Sequence, residues 1–449
     1  MPFLCSECGH RSIKWFGRCP SCGAWDSLSE ASSSADRSAE AVSWLGAELR
    51  SIDRVSLDDI ERLATGMDEF DRLLGGGLIP GGVVLFGGEP GIGKSTLLLQ
   101  IAERIACSCG NVLYVSGEES EGQVKLRASR IGVDNERLYV LSEQSLTKIA
   151  GAVEQVSPVV LIVDSIQTTV DERVAGEAGS LRQLREASSE LIRWAKTRHM
   201  ATFLVGHITK EGSFAGPKSV EHLVDAAVYL EGSRGEDVRI LRSVKNRFGA
   251  TNEVVVFRMT AAGLSEIADP SRFFLEGMET EPRAGTTVVP ILEGTRPILV
   301  EMQALVSPTG GYGVPQRRCT GLDVNRVLLL LAVMEKHVGI QVGGADVYLS
   351  LAGGLETRER GTDLGVIASV CSSLRDRSLP TRTAIVGEVG LSGEVRPVRR
   401  QAERIREAEK MGMERIIVPG EAQSRYAGMA ISVVGVGRVG EALDEIGLR

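Results

Sequence analysis

The chain has 449 residues, a formal net charge of −8, 43% hydrophobic residues and 24% charged residues. Those values predict a soluble globular protein of two or three domains and exclude wholesale coating of a polyanion, though not a local cationic groove or ring. No apolar run approaches the ~20 residues that cross a bilayer, and the N-terminal "MPFLCSECGH" lacks a charged-then-apolar signal layout. A cytoplasmic location is the expectation.

Residues 1–28 read as a small cysteine-rich module. Cys5, Cys8, Cys19 and Cys22 are spaced C-x2-C-x10-C-x2-C. Two such pairs present four thiolates from tight turns, which suits a closed, tetrahedral, structural Zn²⁺ site. His10 is a less favoured substitute ligand. The module is too small to bury a core, so the metal would supply its folding energy. Trp15 and Phe16, with Arg11, Lys14 and Arg18 nearby, either contact nucleic acid or pack on the knuckle. Residues 29–51 have the Ser, Ala and acid-rich composition of a linker.

Over residues 52–270, runs such as "GGVVLFGG", "NVLYVSG", "VVLIVDS" and "ATFLVGH" alternate with amphipathic stretches. That alternation predicts an α/β domain with a mainly parallel sheet covered by helices. "GGEPGIGKST" carries G-x-x-x-x-G-K-S between a strand-like run and a helical one. The context is that of a phosphate-binding loop. Gly88, Glu89, Pro90, Gly91, Ile92, Gly93, Lys94, Ser95 and Thr96 would cradle ATP. Lys94 would bridge the β- and γ-phosphates, and Ser95 would ligate Mg²⁺. Asp164, at the end of "VVLIVD", is placed to complete the Mg²⁺ shell. Of Glu118 and Glu119, one could polarise the attacking water while the other favours a helix N-terminus. Lys245, Asn246, Arg247, Phe248 and Gly249 lie between two strand-like runs. Alone they read as a hairpin turn with two solvated cations.

Together, "TGMDEFDRLLGGGLIPGGVVLFGGEPGIGKS", "YVSGEES", "VDSIQT" and "VGHITKEG" resemble the RecA-type ATPase superfamily. With the four-cysteine module in front and KNRFG behind, the resemblance narrows to the bacterial RadA (Sms) family of recombination and repair proteins, over essentially the whole chain. It implies a homo-hexameric ring that hydrolyses ATP and moves on single-stranded DNA. It also implies branch migration of recombination intermediates alongside RecA. Glu118 best matches the water-activating glutamate. The segments from about Thr168 to Ser180 and from about Lys210 to Ser219 match DNA-facing loops, with Lys210 and Lys218 as candidate phosphate contacts. KNRFG resembles the K-x-R hairpin of DnaB-type helicases. In that likeness Lys245 and Arg247 reach the ATP of a neighbouring subunit.

Residues 271–449 read as a second α/β domain, which resembles the proteolytic domain of Lon. Asp363 stands where the nucleophilic serine is expected and Ala402 where the catalytic lysine is expected. Neither supplies a hydroxyl or an amine, so the fold is expected to persist without peptidase chemistry. Arg396, Arg399, Arg400, Arg404 and Arg406 suggest a basic stripe. Two alternatives stand beside the ring motor: a Lon-type ATP-dependent protease, and an ATP-switched zinc-containing DNA-binding module without motor activity.

Overall fold

The computed structural model describes residues 3–30, 51, 61–207, 218–232, 237–251, 253–276, 283–310, 314–420, 426 and 428–449. Linker residues 31–50, the segment 208–217 with Lys210, and the side chains of Arg11 and Lys218 lie outside the described residues. The chain divides into two compact units: Met1–Gly232 with Arg239–Glu266, and Ser233–Val238 with Ile267–Arg449.

The N-terminal module is a three-stranded antiparallel sheet of β1 (Phe3–Cys5), β2 (Arg11–Ser12) and β3 (Leu28–Glu30), in the order β2-β1-β3. Gly9 N donates to Cys5 O and Gly23 N to Cys19 O, so each cysteine pair closes its own knuckle. The four sulfurs lie within 4.8 Å of one another, with Cys5–Cys22 at 3.7 Å and Cys8–Cys19 at 3.6 Å. A tetrahedral ion with Zn–S bonds of about 2.3 Å needs sulfurs about 3.8 Å apart, so the four thiolates fit zinc. Among the described residues, His10 is not part of this cluster. Among the described residues, the core beneath it is Cys5, Cys8, Cys19 and Leu28, with Phe3 and Leu181 against them. Trp15 and Phe16 stay outside that core, 55% and 45% exposed.

The rest of the first unit is a nine-stranded sheet. Its elements are α1 (Asp68–Leu74), β4 (Val83–Gly88), α2 (Lys94–Ser108), β5 (Val112–Ser116), α3 (Glu121–Arg130), β6 (Leu138–Ser142), α4 (Leu146–Val156), β7 (Val160–Asp164), α5 (Leu181–Arg198), β8 (Ala201–His207), α6 (Lys218–Glu221), β9 (Ala226–Glu231), β10 (Val238–Asn246), β11 (Val254–Thr260) and β12 (Gly263–Glu266). The strand order is β12-β11-β10-β9-β4-β8-β7-β5-β6. The six strands from β9 to β6 run parallel, and β10 turns antiparallel to β9. Buried on both faces, β4, β5 and β7 are continuous apolar runs with no polar alternation. One face packs against α1 and α2, where Leu97, Leu98, Ile101, Ala102 and Ile105 are fully buried. Each buried leucine or isoleucine there contributes about 1.5–3 kcal/mol. The other face packs against α4 and α5 through Leu146, Ile149, Leu184 and Leu191. Helices start at side-chain caps: Ser120 forms a capping box with Gln123, and Ser145 and Ser180 accept from Lys148 N and Gln183 N.

The second unit contains α7 (Pro270–Leu275), β13 (Thr286–Glu293), β14 (Arg296–Pro308), β15 (Arg317–Thr320), α8 (Val324–Val338), β16 (Ala345–Leu351), α9 (Asp363–Leu374), β17 (Thr383–Ile385), β18 (Glu388–Val389), β19 (Val395–Arg396), α10 (Gln401–Lys410), β20 (Arg415–Pro419), β21 (Ser432–Val436) and α11 (Val439–Glu445). Its seven-stranded mixed sheet has the order β15-β16-β14-β13-β17-β20-β21. Asp363, the residue in the serine position, is the first residue of α9 and is 1% exposed. Arg326 forms an ion pair with its carboxylate, and Val389 N donates to Oδ2 at 3.0 Å. Burial still raises its pKa. Ala402 lies on α10.

One expectation changes here. Arg404 does not belong to an exposed basic stripe: it is 0% exposed, ion-paired with Glu359, and donates to the carbonyls of Pro290 and Arg399. Its position on α10 faces β13 and β14, and the sheet supplies the acceptors that the guanidinium needs. Helix α8 is buried on one face: Leu330, Leu331 and Met334 are buried, while Leu328 and Leu329 are 45% and 47% exposed.

Arg404→Ala should lower the stability of the second unit by about 3–5 kcal/mol, since Glu359 and two carbonyls lose their donor, read as a drop in the urea midpoint. Metal analysis should find one zinc per chain. Chelation should make the cysteine module protease-sensitive while the first unit's main melting transition persists.

Candidate active site

The functional side chains gather where the parallel strands end, as the polarity of such sheets dictates. β4 delivers Gly88, and the loop Glu89-Pro90-Gly91-Ile92-Gly93 leads into α2, which begins at Lys94, Ser95 and Thr96. Lys94 is 4% exposed. Its Nζ donates to Gly88 O and Glu89 O, both at 2.9 Å, folded into the cradle that a phosphate would take. Burial lowers its pKa to about 8, against the opposing pull of Asp164 and Glu118. Ile92 O accepts from Arg239 Nε at 3.3 Å, which ties the loop to β10.

Asp164 ends β7, two strands away from β4. Ser95 Oγ donates to its Oδ2 at 2.6 Å, and Tyr114 OH donates to the same oxygen at 2.5 Å. A hydroxyl and a carboxylate in contact form a hard oxygen pair that fits Mg²⁺. The tyrosine orients the carboxylate from behind, and burial together with Asp164 raises Tyr114 well above its ordinary value.

The two glutamates after β5 part company. Glu119 pairs with Arg127 of α3. Its amide N–H donates to Ser116 Oγ at 2.9 Å, and its carbonyl accepts from Ser142 Oγ at 3.0 Å. Glu118 turns the other way, toward β7 and β8: Ser165 Oγ donates to its Oε1 at 2.8 Å, and His207 Nε2 lies 3.1 Å from that oxygen. The preceding Gly117 is required sterically, because a Cβ there would lie 2.0 Å from Thr168 Oγ1. Close approach of the two turns sets Glu118 against Ser165 and His207, and His207 pairs in register with Gly88.

Lys245 and Arg247 are not in this cluster. Ala226 pairs with both Val84 and Asn246, so Asn246 is level with the start of β4, four residues before Gly88. At about 3.3 Å per residue that is ~13 Å from the P-loop, on the opposite edge of the sheet. Nor is KNRFG a free hairpin tip. Lys245 Nζ donates to the carbonyls of Glu221 and His222 at 2.8 and 3.1 Å. Arg247 Nη1 donates to Asp225 Oδ1 at 3.2 Å, and Val83 N donates to Asp225 Oδ2 at 3.1 Å. Phe248 O accepts from Arg62 at 3.1 Å. Gly75, in the left-handed region at φ 88°, lets this turn dock: a Cβ there would lie 2.7 Å from Phe248 O. The Arg247 side chain nonetheless remains 52% exposed.

The loop from Thr168 to Ser180, one of the two segments that match DNA-facing loops, is only partly open. Val170 exchanges backbone hydrogen bonds with Gln144 and Leu146. Gln183 holds Asp171 and Val174 from α5. The stretch 175–179 is exposed.

Sequence reasoning missed Tyr114, Ser165, His207 and Arg239. A signal existed for two of them: Ser165 and His207 stand at the C-terminal ends of buried strands, as Asp164 does. Tyr114 and Arg239 look like ordinary strand residues until the sheet order is known.

The first unit matches two family models, an AAA domain over residues 50–213 and a rubredoxin metal binding domain over residues 3–30. The DNA repair protein RadA of Halalkalibacterium halodurans is 46% identical over 98% of this chain and 97% of its own length. That of Bacillus subtilis is also 46% identical, with the same coverage. Among solved structures, a KaiC-like protein from Pyrococcus horikoshii OT3 aligns with 46% of this chain and 99% of its own at 21% identity and a TM-score of 0.39. At 46% identity over nearly the full length of both chains, this chain belongs to the DNA repair protein RadA family.

Proposed function

We propose that the chain is a DNA-dependent ATPase that assembles as a homo-hexameric ring and translocates on single-stranded DNA. In this reading it promotes branch migration and processing of recombination intermediates in the cytoplasm, alongside the RecA recombinase. The P-loop residues Gly88–Thr96 hold ATP, and Lys94 contacts its β- and γ-phosphates. Ser95 and Asp164 hold Mg²⁺, which when bound neutralises charge on the β- and γ-oxygens. Glu118 takes the proton from the attacking water. Family membership and the contact of Ser95 with Asp164 support this part.

The observation that carries the ring reading is the placement of Lys245 and Arg247. They sit at the sheet edge opposite their own P-loop, which supports the reading that a nucleotide they touch is bound to another subunit. Arg247 is half exposed and, among the described residues, its side chain pairs with Asp225, a partner it can exchange for a neighbour's γ-phosphate. An arginine finger acting in trans contributes roughly 10³–10⁵ in rate. In the second unit, the Asp363 carboxylate is committed to Arg326, and Ala402 carries no amine. The reading for that unit is therefore a non-peptidase platform, with Arg396, Arg399, Arg400 and Arg406 as the exposed cations.

Lys94→Ala should abolish hydrolysis, and wild-type turnover in that variant would exclude this loop as the site. Arg247→Ala should lower DNA-stimulated turnover by about 10³-fold or more while leaving the melting curve unchanged. Mixing Arg247→Ala with Lys94→Ala subunits should restore part of the activity, because each supplies what the other lacks. Nucleotide binding should also take up protons near pH 8.5. Free Lys94 titrates at about 8, and phosphate contact favours its charged form, so protons bind between the free and bound values. Calorimetry in buffers of different ionisation enthalpy reads this directly; the uptake should fade toward pH 7.

A further inference from the structure

Glu118 lies in a turn with 47% of its side chain exposed. Its own backbone does not fix the direction of its carboxylate, and an unrestrained carboxylate samples several rotamers. Two side chains from other elements supply the restraint, and both act on one oxygen. Ser165 Oγ donates to Oε1 at 2.8 Å, and His207 Nε2 lies 3.1 Å from Oε1. Among the described residues Oε2 accepts no hydrogen bond.

The environment of His207 assigns its proton. Nδ1 is buried and has no hydrogen-bond partner among the described residues. A proton on Nδ1 would be buried without an acceptor, so Nε2 carries it and donates to Glu118. His207 is placed by strand register: it ends β8 and pairs with Gly88, the first residue of the P-loop. Gln167 Nε2 approaches its carbonyl at 3.5 Å. Ser165 directly follows Asp164, and Ile166 N donates to Val205 O at 2.9 Å, so both donors are set by the same two adjacent strands.

We propose that Ser165 and His207 are positioning residues for ATP hydrolysis: together they pin Oε1 of Glu118 and so present Oε2 to the attacking water. The inference rests on Glu118 being the base in the reading above. In the step, water attacks the γ-phosphorus, its proton passes to Oε2, and the bond from the γ-phosphorus to the bridging oxygen of the leaving ADP breaks. Neither Ser165 nor His207 gives up a proton; each holds an oxygen in place.

The test is steady-state ATP hydrolysis by the full chain, with saturating single-stranded DNA, together with binding of a fluorescent ATP analogue. His207→Ala and Ser165→Ala should each lower kcat by about 10²-fold, the scale of a misplaced catalytic group. KM and analogue affinity should stay within about twofold of wild type, since uniform binding is untouched. His207→Gln can donate from an amide to the same oxygen and should recover most of the loss. On a Glu118→Gln background, His207→Ala should cost less than about twofold more, because the two act as a unit. Wild-type kcat in both alanine variants would overturn the proposal. So would a raised KM at unchanged kcat, or a fully additive loss in the double variant. Failure of the base reading looks different: Glu118→Gln itself would then turn over at the wild-type rate, and the inference would fall with it.

Discussion

The direction of six parallel strands is the constraint on which the rest of the first unit depends. Because β9, β4, β8, β7, β5 and β6 run the same way, every strand-ending polar residue emerges on one edge. Gly88, Asp164, His207 and the turn holding Glu118 therefore meet, although they are far apart in sequence. The reversal at β10 has the opposite effect. It carries the chain back across the sheet and deposits Lys245 and Arg247 at the far edge. Strand direction thus sends Lys94, Asp164 and Glu118 to one end of the sheet and Lys245 and Arg247 to the other.

Much of this was legible in the sequence because it is local. The P-loop is a contiguous run whose glycines, lysine and serine act within one turn of chain. The four cysteines announce a metal site by spacing, and the sulfur separations agree with it. Asp164 was legible because it ends an apolar run. Glu118 and Glu119 could not be separated from sequence alone. Their difference comes from Arg127 on one side and from Ser165 and His207 on the other, and those partners are brought in by sheet order, which no short motif encodes.

Charged residues in the second unit show the same limit from another direction. Arg404 sits in a run of Arg and Glu whose cations suggest an exposed basic stripe. Only packing of α10 on the sheet turns that position inward, where Glu359 and two carbonyls receive it. Asp363 likewise occupies a buried N-terminal helix position that it can hold only because Arg326 and Val389 N satisfy its oxygens. A pattern of residue types fixes periodicity, but a buried ion pair depends on two elements meeting. KNRFG shows the same limit: alone it reads as a turn with two solvated cations, yet Lys245 is tied to two carbonyls, Arg247 pairs with Asp225 while half exposed, and the turn docks against the end of α1.

The central claim is that Arg247 acts on a neighbour's nucleotide. A cryo-electron microscopy structure of the full chain with single-stranded DNA and a non-hydrolysable ATP analogue tests it most directly. The account predicts a closed ring in which Arg247 has left Asp225 and lies within hydrogen-bond distance of the γ-phosphate on the adjacent subunit. A nucleotide-loaded, DNA-bound assembly with Arg247 still on Asp225 and remote from every phosphate would contradict it.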